Sequence, residues 1–90
     1  MRKSWSKRAP KTKTERRKLK ARCGAKCFLQ PGTLAFPVCP KKSCSPACEG
    51  LLAAFVRARQ TGRQKTARLA TIRACHMKCD WTAHKGHCER

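Results

Sequence analysis

Eight cysteines in ninety residues restrict what this chain can fold into more than any other feature of its sequence. A chain this short buries little apolar surface, and small proteins make up the deficit with disulfides, a bound metal or a partner. Cys23/Cys27, Cys44/Cys48 and Cys75/Cys79 share C-x3-C spacing. Residues four apart on a helix point the same way, so such a pair is suited to bonding a second element rather than itself. Cys23, Cys27, Cys39, Cys44 and Cys48 all fall within residues 22–50, together with Phe28, Leu29, Leu34, Phe36 and Val38. That stretch reads as a joint between a charged N-terminal region and a helical body. Spacing alone selects no connectivity, because eight cysteines can pair in about a hundred ways.

A metal is the other way to hold such a chain. Cys75, Cys79, His84 and Cys88 read C-x3-C-x4-H-x3-C, close to zinc-knuckle spacing, and zinc accepts a tetrahedral Cys3His set. His76 and His87 are further candidate ligands, and Cys39, Cys44 and Cys48 with Cys23 or Cys27 form a second possible home. Neither group has the tight C-x2-C pairs of a strong zinc signature. Disulfides and structural zinc therefore both stay open for Cys23, Cys27, Cys39, Cys44, Cys48, Cys75 and Cys79.

Charge narrows the choice of partner. Twenty-three Lys and Arg face four acids, for a formal net charge of +19. A chain this cationic repels itself unless a polyanion or an acidic surface neutralises it. Nucleic acid is the first expectation and an acidic protein surface the second. The N-terminus lacks an apolar h-region, so no secretory signal peptide is expected. No apolar run reaches the length of a membrane span.

Along the chain, residues 1–13 read as an extended basic arm in which Trp5 is either a stacking ring or a packing plug. A helix is expected from Thr14 to Lys26, capped by Thr12 or Thr14, with Leu19, Cys23 and Cys27 as a narrow seam. Gln30-Pro31-Gly32 should end it. Residues 31–46 carry Pro31, Pro37, Pro40 and Pro46 and cannot be helical. Within them, Thr33–Val38 can form a short extended piece turning Leu34, Phe36 and Val38 inward.

Ser45-Pro46 has the form of a helix start, serine as N-cap and proline at N1. Cys48, Leu51, Leu52, Phe55 and Val56 then form an apolar face, and Thr61-Gly62 ends the helix. A third helix is expected from about Arg63 to Lys78, with Leu69, Ile72, Cys75 and Cys79 along one side. Its short connection makes an antiparallel helical hairpin with the second. The expected fold is thus small, mostly α and cysteine-stapled. It comprises a basic arm (1–13), a cysteine-stabilised helical domain with a proline-rich loop (14–79), and an irregular Cys/His-containing tail (80–90).

Catalysis finds no footing in these residues. The acids form no visible dyad, Cys75 and His76 are neighbours that point different ways on a helix, and the five glycines are isolated. The expectation is a binding or structural protein. Its contacts to nucleic acid or an acidic partner are assigned to Lys11, Lys13, Arg16, Arg17, Lys18, Lys20, Arg22, Arg57, Arg59 and Arg63. No recognition-helix pattern is present, so phosphate contacts without base reading are expected.

Residues 11–41 also carry a series of short motifs: Lys13-Thr14, Arg17 or Lys18, Leu19, Cys23-Gly24, Cys27-Phe28-Leu29, Pro31 and Phe36-Pro37. A second patch holds Cys48-x-Gly50 with Ala53, Ala54, Arg57, Ala58 and Gln60. In these motifs the sequence resembles a group of small basic proteins of nucleocytoplasmic large DNA viruses; the part after Cys79 has no counterpart. The resemblance implies a setting in the virion. There the chain would be a minor capsid or core component, its basic region against acidic capsid subunits or the genome. A sequence-independent DNA-condensing protein, with or without zinc, is the alternative.

Overall fold

A computed structural model of the protein describes residues 5–30 and 32–83. It begins with a helical turn, α1 (Trp5–Arg8), followed by α2 (Lys13–Cys23) and a 3-10 turn at Ala25–Cys27. Strands β1 (Phe28–Gln30) and β2 (Ala35–Pro37) form an antiparallel hairpin, with Phe28 opposite Pro37 and Gln30 opposite Ala35. Helices α3 (Cys48–Gln60), α4 (Gln64–His76) and the short α5 (Asp80–Ala83) complete the described chain. The protein is mostly helical, as expected, and among the described residues no helix is long and apolar enough to cross a membrane.

The N-terminal region departs from the extended arm. Trp5–Arg8 is helical, and Pro10 is fully buried. The cause lies on α3, where Gly50 leaves room for the Trp5 ring. A Cβ at position 50 would stand 2.7 Å from Trp5 Cη2 and 2.6 Å from the Val38 carbonyl oxygen. Arg8 adds an ion pair, its Nη2 lying 3.0 Å from Glu49 Oε1. The contact is a charge pairing rather than an aligned hydrogen bond, since the buried Nε and Nη2 have no hydrogen-bond acceptor. Trp5 acts as a packing plug.

α2 starts where its cap dictates. Thr12 Oγ1 accepts from the Glu15 amide at 3.0 Å, and Glu15 Oε1 accepts from the Lys11 and Thr12 amides at 2.8 and 3.3 Å. This reciprocal capping satisfies amides that the first turn otherwise orphans. The helix ends at Cys23, shorter than the expected run to Lys26, because Gly24 turns to φ 87° and breaks it. Cys23 and Cys27 therefore do not share one helical face. Cys27 instead leads into β1, a strand that was expected to be the end of a helix.

Three disulfides between described residues join the elements: Cys23–Cys44, Cys27–Cys39 and Cys48–Cys79, with Cα separations of 5.1, 5.1 and 5.5 Å. The first two are nested and pin the proline-rich loop to α2 and to the start of β1. The third closes a separation of 31 residues and ties the beginning of α3 to the segment after α4. Closing loops of such lengths contributes roughly 2–4 kcal/mol each. Val38 is central to the joint. Its amide donates to Cys27 O at 2.8 Å, and its carbonyl accepts from the Ala47 amide at 2.9 Å.

That last bond explains why Ser45-Pro46 does not begin α3. With the Ala47 amide committed to Val38 and Ser45 N bonded to Ser43 Oγ, the chain stays extended until Cys48. Ala35–Pro37 follow the extended reading as β2, but of the side chains expected inside only Val38 is fully buried; Leu34 and Phe36 are half-buried and held at φ 58° and 56°.

The helical hairpin forms across Thr61–Arg63, where Gly62 adopts φ 74° and the Arg63 amide donates to Ala58 O at 2.8 Å. Its inner faces differ from the expected ones. α3 buries Gly50, Leu51, Ala54, Phe55 and Ala58, while α4 buries Thr66, Ala67, Ala70, Thr71 and Ala74. Leu52, Val56, Leu69 and Ile72 are instead exposed by 36, 43, 41 and 45 %. Small residues let the two helices approach closely, leaving no space for the larger aliphatics between them. Trp81 closes the base of the hairpin: its Nε1 donates to Cys48 O at 3.0 Å and its ring lies 5.4 Å from Phe55.

Candidate functional site

α2 is attached to the body along one side. Leu19 is its single buried residue, Cys23 is bonded to Cys44, and two arginines reach inward. Arg16 donates from Nε to Pro10 O at 3.1 Å and from Nη1 to Leu34 O at 3.3 Å. Arg22 Nη2 donates to Lys41 O at 2.8 Å. Both were candidates for partner contact, and both hold loops in place. Arg73, on α4, does the same through Lys26 O at 2.8 Å.

The opposite side of α2 carries Lys13, Arg17, Lys18 and Lys20, all solvent-exposed. Lys13, Arg17 and Lys20 are spaced i, i+4, i+7, so they form one stripe along the helix, while Lys18 points about 100° away from Arg17, on the flank that holds Glu15 and Arg22. Like charges four apart destabilise a helix by about 0.2–0.5 kcal/mol per pair. Two acids are committed to packing within the fold. Glu15 is turned to the helix cap and to Lys41 Nζ at 3.7 Å, and Glu49 pairs with Arg8. Hydrogen bonds from the Lys11 and Thr12 amides, with the Lys41 ammonium nearby, hold the Glu15 carboxyl below its ordinary range.

The remaining candidates are dispersed. Lys11 is exposed where α1 leads into α2, and Arg57 and Arg63 are exposed along and after α3. Arg59 lies over the Phe55 ring at 5.7 Å, on the opposite flank of α3 from Arg57. The structure thus groups Lys13, Arg17 and Lys20, sets Lys18 on a neighbouring flank of α2, and separates Arg59 from Arg57 and Arg63.

The sequence signals missed a cleft of about 950 Å³ bounded by the segment after α1, the β-hairpin and the outer flank of α3. Trp5, Phe36 and Val56 line it with Lys11, Arg57 and Arg63. Nothing local in the sequence joins Trp5 to Phe36 and Val56; only the Trp5–Gly50 packing does so.

At the proposed zinc set, Cys79 is bonded to Cys48 and Cys75 is also in a disulfide. Oxidised sulfur offers no thiolate to a metal, so the disulfide and zinc readings exclude one another at these two residues. His84 and Cys88 lie outside the described residues. Among the described residues no cluster of three His, Cys, Asp or Glu side chains is placed to hold a metal ion. No family model matches the chain, and neither the curated proteins nor the solved structures provide a match.

Proposed function

We propose that this protein is a non-enzymatic structural component that holds a polyanion against the outward face of α2. Duplex nucleic acid is the partner whose regular phosphate charge best suits such a stripe. The sequence motifs shared with small basic proteins of large DNA viruses suggest the virion as its setting, with the genome as the nucleic acid. The supporting observation is the stripe itself: Lys13, Arg17 and Lys20 share one exposed face of an anchored helix, with Lys18 exposed on a neighbouring flank. A helix lying along a phosphate backbone with long flexible cations carries no base-reading geometry, so binding is sequence-independent.

Duplex binding measured across salt concentrations tests this. Neutralising four phosphates gives a log–log slope of about −3.6, at roughly 0.9 per phosphate, and steeper if other cations join. A shallow slope, or full affinity after deleting residues 1–20, contradicts the assignment.

A further inference from the structure

We propose that the cleft beside α3 is a second binding site, taking an acidic peptide segment that carries apolar anchor residues. Its volume of about 950 Å³ lies in the range of specific ligand pockets. Its composition is divided by chemistry. Trp5, Phe36 and Val56 supply an apolar lining, Lys11, Arg57 and Arg63 supply positive charge, and among the described residues no acidic side chain lines it. Val56 remains 43 % exposed there although the protein has few large aliphatic residues in its core.

The walls are fixed before any partner arrives. Arg16 bridges them, donating to Pro10 O on one side and Leu34 O on the other. Trp5 is seated on Gly50, and the Cys27–Cys39 disulfide holds the ends of the β-hairpin. Phe36 keeps a left-handed backbone at φ 56°, a conformation that bulky residues adopt only when their surroundings impose it. A preformed site avoids the ordering cost that weakens flexible ones.

Charge complementarity chooses the occupant. A second copy of this chain brings another net +19 and is repelled. A single nucleic-acid strand needs open ring faces for stacking, whereas Trp5 and Phe36 are both half-buried, with an edge of Trp5 turned onto Gly50. Carboxylates flanking apolar side chains satisfy both the cations and the lining. The site lies apart from Lys13, Arg17, Lys18 and Lys20, none of which lines it. The protein can therefore hold a polyanion and an acidic protein segment at once.

Fluorescence anisotropy on the oxidised full chain tests the assignment with two labelled peptides, one alternating Glu with Leu and Phe, the other an oligoglutamate of equal charge. The mixed peptide should bind at least about tenfold tighter. Val56→Ser should remove about tenfold of that affinity while leaving duplex binding unchanged, and Arg57→Glu with Arg63→Glu should weaken it by at least as much. Far-UV circular dichroism checks that the variants fold, and the positions are exposed. Equal affinity for the two peptides overturns the proposal. So does indifference to Val56→Ser, competition by a single-stranded oligonucleotide with the same Val56 dependence, or self-association through Val56 in sedimentation.

Discussion

Glu15 occupies a small but controlling position, since its carboxylate closes the cap of the helix that carries the cationic stripe. The Lys11 amide contributes most to lowering its pKa, then the Thr12 amide, with Lys41 adding a weaker attraction. A carboxyl whose folded pKa is depressed stabilises the fold above its unfolded pKa and loses that contribution as pH falls through the folded value. Taking 4.5 as the ordinary value, the cap of α2 should weaken only below that pH. Protection factors of the Lys11 and Thr12 amides, which donate to the Glu15 carboxylate, should fall there relative to intrinsic exchange, and Glu15→Gln should remove that fall; unchanged protection would disprove the coupling. This cap was half legible: Thr12 and Thr14 both offered a cap, and the Thr12-x-x-Glu15 capping box selects Thr12. Ser45-Pro46 is an equally good local signal, yet α3 starts at Cys48, because the Ala47 amide belongs to Val38, a partner no local pattern announces.

The hairpin shows the same limit at the scale of elements. Apolar spacing located α3 and α4 and their turn, but each helix offers two candidate faces. On α3, Leu51 and Phe55 marked the buried face while Leu52 and Val56 fell outside it; on α4, Leu69 and Ile72 marked the exposed one. Packing selects the face that lets the backbones approach, and here it is built from Ala54, Ala58, Ala67, Ala70 and Ala74. Substituting the fully buried Ala70 by Leu should cost about 1–3 kcal/mol through overpacking. Leu69→Ala, at an exposed position, should stay within about 0.5 kcal/mol. Denaturant unfolding of the two variants checks this, and the opposite ranking would place the larger aliphatics inside. The β-hairpin was half legible. Its second strand was expected, whereas Phe28–Gln30 was taken for a helix end, because Gly24 rather than Pro31 breaks α2.

Across the whole molecule the disulfides divide the labour. Cys23–Cys44 and Cys27–Cys39 fasten α2 and the proline-rich loop to one side of the body, and Cys48–Cys79 clamps the hairpin. The cysteine count announced a stapled fold, and the C-x3-C spacing announced bonds between elements, but the pairing awaited the fold. Most of the cationic stripe was legible as charge on a helix. Which arginines it excludes was not, since Arg16 and Arg22 reveal their internal role only through Pro10, Leu34 and Lys41.

The central claim is that position, and not total charge alone, makes α2 the polyanion-binding element. Two variants of equal charge change separate these causes: Lys13→Glu with Arg17→Glu on α2, and Lys65→Glu with Arg68→Glu on α4, all at exposed positions. The deciding measurement is the salt dependence of duplex DNA binding for both. The α2 variant should lose about two units of slope, roughly one per phosphate contact, while the α4 variant keeps nearly all of it. Equal losses in the two variants would contradict the account, showing that the polyanion responds to net charge and that α2 is no site.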